Sequence, residues 1–349
     1  MNAFSSHPVV IRELGDSNAW AWDAFVDGCP QATFFHRSGW RHVLEAGLGH
    51  SCHFLMAEVR GRVQGVLPLV HVRGRLFDNA LVSTAFLVLG GPAASDGPII
   101  DALDRAAIKL AEDLGVAHLE YRLEAPMHAD WHCNAALYAY FRKTLSPDVE
   151  TNLKAVPRKQ RAVIRKGLAA GLETRIDPNV DDFYRVFSES YRDLGTPVLP
   201  KRYFAKILSV FGPQVEIVSV AHQGRALSAV MVFLHRDQVM PYFGGGTRAA
   251  RQYAAHDLMY WETMKRACER GYRVFDFGRS KFGSGSYDYK RHWGFEPQPL
   301  YYEYKLINRR DIPDLNTQNP RFARAISLWK KLPLPVANLI GPLIARELA

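Results

Sequence analysis

The chain has 349 residues, a net charge of +9 and a hydrophobic fraction of 48%, which predicts about two ordinary globular domains with sizeable cores. Four scattered cysteines, no signal-peptide pattern in residues 1–17 and no long apolar run exclude a disulfide-rich secreted protein and a transmembrane protein, and favour the cytoplasm. The positive charge favours an anionic partner, such as a phosphate, a nucleic acid or a membrane surface, although solubility alone would also explain it.

The first half of the chain alternates helix and strand patterns. Apolar residues at helical spacing predict helices over residues 18–28, 39–45 and 101–114. Alternating runs predict a hairpin over residues 53–67, and strands over residues 81–90 and 116–122. This mixture predicts a sheet with flanking helices.

The second half repeats this order. It has a predicted hairpin over residues 215–232, a helix over residues 257–270 and a strand from residue 274. Gly224 follows Gly61 at an offset of 163 residues, and Asp276 follows Glu120 at an offset of 156. Two offsets this close favour duplication of a whole domain, although two unrelated α/β units would also look alike.

The predicted organisation is two tandem domains and a tail. The domains are a mixed α/β domain at residues 1–150, a second one at residues 151–307, and a proline-rich helical tail at residues 308–349. Within the tail, residues 332–345 are apolar but short and interrupted by proline, which favours docking on the protein body. We also expect residues 320–349 to make peripheral contact with the inner membrane surface.

The second domain opens on a strongly basic segment, residues 151–167. Pro157 suits the first turn of a helix. The cations of this segment are Lys154, Arg158, Lys159, Arg161, Arg165 and Lys166. We predict that Arg158 and Arg165 bind a phosphate-bearing substrate, although a merely solvated helix face would have the same composition.

The most distinctive stretch spans residues 271–306. After the helix stop at Gly271, a strand over residues 274–278 leads into a predicted loop with Gly283 and Gly285. Glycine lets the backbone approach a ligand closely, and the clustered Lys, Arg and Tyr side chains of this loop supply hydrogen-bond donors. An aromatic, basic loop that only covers a sheet edge is the alternative interpretation.

This stretch resembles the C-terminal signature of the FemAB/FemX peptidyltransferases. The similarity is carried by Phe275-Asp-Phe-Gly278, by Gly283-Ser-Gly-Ser-Tyr-Asp-Tyr-Lys290 and by Trp293-Gly-Phe295. The resemblance implies two tandem GNAT-like acyltransferase domains that transfer amino acids from aminoacyl-tRNA onto cell-wall precursors. The sequence from Asp276 to Lys281 is similar to that of the FemAB-like branch associated with exosortase/PEP-CTERM and exopolysaccharide gene clusters.

The resemblance and the residues together indicate candidates for catalysis. Acyl transfer to an amine needs a bound amine, a route for its proton and donors for the developing oxyanion. By resemblance, Lys290 matches the Lys of the family's aromatic-Lys pair, with Tyr289 in place of the usual Phe. Asp276 and Glu303 are candidate proton acceptors, although a salt-bridge role would give the same sequence pattern.

Further residues are candidates for substrate binding. The resemblance places Arg192 where FemX-like proteins contact a nucleotide-sugar pyrophosphate, while a salt bridge to Asp193 or Glu189 is the alternative. The other candidates are Tyr242, Gly245, Arg279, Lys281, Tyr287 and Trp293.

Two classes of acyl donor are compatible with the fold that the resemblance implies. Residues 248–257 have alanine where acetyl-CoA-dependent relatives have the glycines of the pyrophosphate loop, so aminoacyl-tRNA is favoured over acyl-CoA. No bound cofactor is expected, and no metal, because His128, His132 and Cys133 lack further ligands. A non-enzymatic protein that binds RNA or a membrane surface is the third interpretation.

Overall fold

A computed structural model describes residues 8–74, 79–312 and 323–348, and these divide into two compact units. The first unit holds residues 8–74, 79–135, 300–312 and 346–348, and the second holds residues 136–299 and 323–345. Residues 313–322, which the predicted tail includes, lie outside the described residues.

The first unit is one mixed sheet with helices. Its strands are β1 (Val10–Glu13), β2 (Ser51–Val59), β3 (Arg62–Val72), β4 (Ala80–Ser83), β5 (Ala93–Ala94), β6 (His118–Leu123), β7 (His132–Asn134) and β15 (Tyr301–Leu306). The helices are α1 (Ala19–Gly28), α2 (Gly39–Leu48) and α3 (Gly97–Asp113). The strand order is β1-β2-β3-β4-β6-β15-β7, with β5 paired to β3, and β4 runs parallel to β6.

The second unit has a sheet of the same plan. Its strands are β8 (Tyr138–Thr144), β9 (Glu173–Ile176), β10 (Val215–His222), β11 (Arg225–His235), β12 (Gln238–Gly246), β13 (Val274–Lys281) and β14 (Gln298–Pro299), in the order β14-β8-β13-β12-β11-β10-β9. The helices are α4 (Val149–Ala155), α5 (Arg158–Leu168), α6 (Val180–Leu194), α7 (Lys201–Phe211), α8 (Ala250–Tyr253), α9 (Ala255–Glu269), α10 (Gly285–His292), α11 (Ala323–Trp329) and α12 (Leu334–Ala345).

The two sheets confirm the predicted tandem α/β fold. Each has an antiparallel hairpin, β2–β3 or β10–β11, followed by one parallel pair, β4–β6 or β12–β13. Both hairpins turn where predicted, at Arg60 and Gly61 and at Gln223 and Gly224, with positive φ at all four residues. Two successive residues with positive φ are typical of the two-residue turn that matches the twist of a hairpin.

The units differ from the predicted domain boundaries by one strand each. Strand β8 lies before residue 150 but pairs with β13, from Val274 opposite Thr144 to Lys281 opposite Tyr138. Strand β15 lies before residue 307 but pairs with β6, from Tyr301 opposite Leu123 to Leu306 opposite His118. The repeat in the sequence locates such strands but contains no information on which sheet each one joins.

Each unit has its own apolar core. In the second unit, Trp261, Phe275, Phe277 and Trp293 are buried among the strands and α9. In the first unit, α3 packs Leu103 and Ala107 against Leu119 and Tyr121 of β6. Every helix in the described ranges is too short or too polar to cross a bilayer.

Candidate active site in the second unit

A β-bulge in β13 is the first feature of the site. The pairing with β8 shifts register between Asp276 and Gly278, so that Asp276 lies opposite Arg142 and Gly278 opposite Phe141. Gly278 has φ of +63°, a left-handed conformation that a residue with a Cβ adopts only with strain. The bulge therefore requires glycine here and redirects the backbone of β13.

Helix α10 presents Lys290 to this bulge. The structure contradicts the predicted loop after β13, because the hydroxyl of Ser284 caps a helix by accepting a hydrogen bond from the Tyr287 amide over 3.3 Å. The two glycines that indicated a loop flank this cap. Lys290 lies in the last turn of α10, where its cationic side chain also complements the helix dipole.

The amine of Lys290 is held by backbone carbonyls. Its Nζ donates to the carbonyl oxygen of Gly278 over 3.1 Å and to that of Arg279 over 2.8 Å. The rings of Phe141 and Phe277 lie 5.3 and 5.9 Å from it. Burial lowers the pKa of Lys290 to about 7, against the opposing charge of Asp276. An ammonium has three N–H donors, and these two carbonyls engage two of them.

Asp276 is the buried anion beside this amine. One carboxylate oxygen accepts a hydrogen bond from the Gly278 amide over 2.7 Å, and the other accepts one from the Tyr140 hydroxyl. Burial raises the pKa of Asp276 to about 6, although both hydrogen bonds and the charges of Arg142 and Lys290 oppose the rise. Both carboxylate oxygens are engaged, which leaves Asp276 better placed to act on Lys290 than on a substrate.

Tyr140 is a site residue that the sequence did not indicate. It lies on β8, 136 residues before Asp276, and its side chain is buried. Only the pairing of β8 with β13 brings the two together. A tyrosine in an alternating strand pattern has no local signal that distinguishes it from a core residue.

Tyr289 faces the start of α9 and not the amine of Lys290. Its hydroxyl donates to Asp257 over 3.0 Å, and the side chain of Gln160 donates to the same oxygen over 2.5 Å. Burial raises the pKa of Tyr289 well above the ordinary value, and Asp257 adds to the rise. Burial also lowers the pKa of His256, which favours the neutral imidazole at this helix start.

Arg192 forms the salt bridge that was the alternative to phosphate binding. Two of its nitrogens donate to one carboxylate oxygen of Asp193, over 2.9 and 2.7 Å. The side chain of Arg248 binds the other oxygen of Asp193 over 2.7 Å. A third Arg192 nitrogen lies 3.5 Å from the carbonyl oxygen of Leu332, in the segment between α11 and α12.

The glycine-rich end of β12 packs against α6. A Cβ added to Gly245 would lie 2.8 Å from Cβ of Ser190 and 3.3 Å from Cα of Phe187. Gly245 therefore allows a helix to approach a strand, which accounts for it without a ligand. The ring of Tyr242, another predicted substrate contact, packs against Phe233 and Phe243.

The remaining predicted substrate contacts of α10 and β13 separate into two groups. Arg279 lies with its guanidinium 4.5 Å from the ring centre of Tyr138, and Lys281 lies with its amine 5.7 Å from the same ring. Both side chains are half-buried at the end of β13. Trp293 is fully buried in the core, and the ring of Tyr287 packs edge-on against Phe141.

Helix α5 confirms the predicted basic helix. Gln160 and Ile164 face inward, while Arg158 and Arg165 are exposed. Gly167 lets the end of this helix approach α9, because a Cβ there would lie 3.0 Å from Cβ of Leu258 and 3.1 Å from the Ala254 carbonyl oxygen. The inward face of α5 therefore packs on the start of α9, and its cations are on the exposed side of the helix.

Glu303 is a buried carboxylate of the first unit. It lies on β15, fully buried, and accepts a 2.6 Å hydrogen bond from His128, whose other ring nitrogen bonds Asp104 over 3.0 Å. Burial alone would lower the pKa of His128, but these two carboxylates outweigh it and raise the pKa to about 9. Within the described ranges no group of three His, Cys, Asp or Glu side chains could hold a metal ion.

Comparisons with known proteins agree with this fold. Residues 155–291 match the family model for the acetyltransferase (GNAT) domain. No curated protein matches the sequence. The structure of FemX is similar, with a TM-score of 0.67 and 13% identity over 86% of this chain and 98% of that one.

Two further solved structures have a similar fold. A tandem GNAT protein from the clavulanic acid biosynthesis pathway has a TM-score of 0.57 and 14% identity over 87% of this chain and 100% of that one. The C-terminal domain of a putative lysylphosphatidylglycerol synthetase from Agrobacterium fabrum has a TM-score of 0.57 and 12% identity over 89% and 94%. Residues 155–291 are therefore an acyltransferase domain of the GNAT type, within a chain that has the tandem fold shared with FemX.

Proposed function

We propose that the protein transfers an aminoacyl group from aminoacyl-tRNA to an amine of a phosphate-bearing cell-envelope or exopolysaccharide precursor in the cytoplasm. The observation that carries this proposal is Lys290, an amine with a pKa of about 7 that donates to two backbone carbonyls and is influenced by the charge of the buried Asp276 carboxylate. Such a group is suited to a site where charge develops on an acyl oxygen.

The reaction proposed is direct attack. The acceptor amine attacks the carbonyl carbon of the aminoacyl ester, and the remaining N–H of Lys290 donates to the oxyanion that forms. The ester C–O bond then breaks, and the proton lost by the attacking amine passes through water to the leaving oxygen of the tRNA, which departs as a hydroxyl. Asp276 is a positioning residue in this scheme, because its charge favours the protonated form of Lys290.

A covalent acyl-enzyme has little support. The sequence has no G-x-S-x-G elbow. The cysteines are no better suited, because burial raises the pKa of Cys52, Cys133 and Cys268, which favours the unreactive thiol over the thiolate.

The start of α9 supports a donor other than acyl-CoA. In GNAT proteins that use acetyl-CoA, a glycine loop and a helix start hold the pyrophosphate. In this chain the corresponding turn carries the carboxylate of Asp257, which already accepts hydrogen bonds from Gln160 and Tyr289. An incoming pyrophosphate would meet a negative charge there, whereas the exposed cations of α5 suit the phosphates of a nucleic acid.

The structural neighbours support the acceptor class. FemX has a similar fold. The neighbour from Agrobacterium fabrum is named as a putative lysylphosphatidylglycerol synthetase, and lysylphosphatidylglycerol is lysine joined to a phosphate-bearing lipid. The sequence of residues 276–281 is the observation that favours an exopolysaccharide precursor within this class.

The proposal is tested with two donors in parallel. The purified chain is incubated with tRNA charged with labelled amino acids, or with labelled acyl-CoA, and with the phosphate-bearing metabolites and lipids of cells that lack the protein. An amide product keeps its label in mild base, whereas an aminoacyl ester loses it. We expect base-stable label from aminoacyl-tRNA with the wild type and with Lys206→Ala, and labelling that is slower by about 10²–10³ with Lys290→Ala.

Two results would count against this function. Base-stable label from acyl-CoA alone would identify acyl-CoA as the donor in place of aminoacyl-tRNA. Calorimetry would then show that the protein binds CoA. No product from either donor, together with RNA binding that weakens steeply with salt, would favour a non-catalytic RNA-binding protein.

A further inference from the structure

Helix α12 buries its small side chains and exposes two of its leucines, while Ile340 and Ile344 are half-buried. Its small residues Ala337, Gly341 and Ala345 are buried, at a spacing of four residues that defines one helix face. On the other side, Leu339 is 76% exposed and Leu343 is 65% exposed. A helix of a soluble protein normally buries its large apolar residues and not its small ones, so this orientation needs a separate explanation.

The small-residue face is fixed to the second unit by close contacts. A Cβ added to Gly341 would lie 3.2 Å from the backbone nitrogen of Val198 and 3.3 Å from its carbonyl oxygen. The amide of Asn338 donates to the hydroxyl of Ser188 on α6 over 3.3 Å. With α12 packed in this way, Leu339 and Leu343 face outward.

The preceding helix extends the same kind of surface. Leu328 of α11 is 68% exposed, and a Cβ added to Gly195 would lie 2.5 Å from the Ile326 side chain, so α11 also packs closely on the end of α6. Val336 adds a further exposed apolar side chain one helical turn before Leu339. We call the exposed residues Leu328, Val336, Leu339 and Leu343 the tail surface.

The charges within residues 323–345 are of one sign. Residues 323–345 contain Arg324, Lys330 and Lys331, all exposed, and no Asp or Glu. Apolar side chains next to exposed cations match the boundary of an anionic bilayer, where the apolar groups enter the acyl region and the cations contact the headgroups. A second copy of this chain would bring the same three cations together, which disfavours self-association through this face.

The length of α12 fits a position at the interface. Its 12 residues extend ~18 Å, well short of the ~30 Å of a bilayer core, and Pro342 lies inside it. A helix of this length lies along the membrane surface.

From these observations we propose that the tail surface attaches the protein peripherally to an anionic membrane surface. Leu339 and Leu343 enter the headgroup boundary, and Lys330 and Lys331 contact lipid phosphates. The attachment does not depend on the proposed reaction.

Vesicle co-sedimentation of the full chain tests this. The wild type should bind vesicles that contain phosphatidylglycerol much more tightly than vesicles of phosphatidylcholine alone. Leu339→Gln/Leu343→Gln should weaken the binding roughly a hundredfold, because two apolar side chains are lost from the interface. The matched control Trp20→Gln/Leu168→Gln changes two other exposed apolar side chains, 75% and 50% exposed, and should bind like the wild type.

A second pair of variants tests the charge. Lys330→Gln/Lys331→Gln should weaken binding to anionic vesicles roughly tenfold or more, and Arg62→Gln/Arg105→Gln, with the same loss of charge, should weaken it far less. Unfolding temperatures should be unchanged, because all these side chains are exposed.

Three results would overturn the proposal: equal binding to neutral and anionic vesicles, equal effects of the tail and control variants, or a wild-type dimer that Leu339→Gln/Leu343→Gln converts to a monomer.

Discussion

Lys290 and Arg279 are joined by a 2.8 Å hydrogen bond from the amine of the first to the backbone carbonyl oxygen of the second. The bond exists because the bulge at Gly278 turns the backbone of β13 toward the last turn of α10. A side chain held in this way has few alternative rotamers. Lys290 therefore presents its remaining N–H in a defined direction, as a preorganised oxyanion donor requires.

Loss of this amine should remove transfer without loss of the fold. We expect Lys290→Ala to lower the single-turnover rate by about 10²–10³, the usual effect of removing an oxyanion donor. Lys290→Met keeps the apolar stem and should be equally inactive. Because burial of the amine disfavours its charge, Lys290→Met should be no less stable than the wild type in thermal unfolding. An active Lys290→Met variant would contradict the role.

The pH dependence of transfer should follow the two buried groups. The pair of Asp276 carboxylate and Lys290 ammonium is most populated between the pKa of about 6 and the pKa of about 7. With one acceptor used throughout, the rate should fall on both sides of this window. Asp276→Asn removes the charge that raises the pKa of Lys290, so the alkaline limb should move to lower pH. An alkaline limb that does not move would show that another group titrates there.

Tyr140 should influence the pH at which the transfer rate falls on the acid side of its profile. Its hydroxyl donates to Asp276 and lowers the pKa of that carboxyl. Tyr140→Phe should therefore raise the pKa of Asp276 and move the acid limb of the rate profile upward. A lower rate with an unchanged profile would indicate a packing role instead, and Tyr138→Phe is the matched control on the same strand.

His128 should make the stability of the first unit depend on pH. The carboxylates of Asp104 and Glu303 raise its pKa in the folded state to about 9, from 6.5 in the unfolded state. The stabilisation is therefore fully present below pH 6.5 and is lost as the pH rises through about 9. We expect His128→Gln to lower the free energy of unfolding at pH 6 by roughly 1–3 kcal/mol, with solvent screening taken into account.

Denaturant unfolding at a series of pH values measures this effect. The difference between His128→Gln and the wild type should shrink between pH 6.5 and 10. A difference that stays constant over this range would mean that the charge of His128 does not contribute.

Gly245 offers a test between packing and substrate binding. Because an added Cβ would meet Ser190 at 2.8 Å, Gly245→Ala should lower the free energy of unfolding by about 1–3 kcal/mol. Gly97→Ala is the control, since a Cβ at Gly97 has no neighbour within 4 Å. If Gly245→Ala unfolds like the wild type but loses transfer, Gly245 contacts the substrate as the sequence predicted.

Much of the fold could be predicted because its signals are local. The turns at Gly61 and Gly224, the ends of α3 and α9 near Gly115 and Gly271, and the repeated order of strands and helices all follow from neighbouring residues. The same local pattern predicted α5 and its basic face. It failed at α10, where two glycines outweighed the cap of Ser284.

The site itself depends on contacts between distant residues. Periodicity indicates which face of a strand is apolar but not which strand lies beside it. The meeting of Tyr140 with Asp276 and the outward orientation of Leu339 were therefore decided by the tertiary structure. The sequence by itself determined two tandem α/β domains with Lys290 in the segment that follows a strand, and only the folded chain placed its amine against the bulge, because that contact requires the packing of α10 on β13.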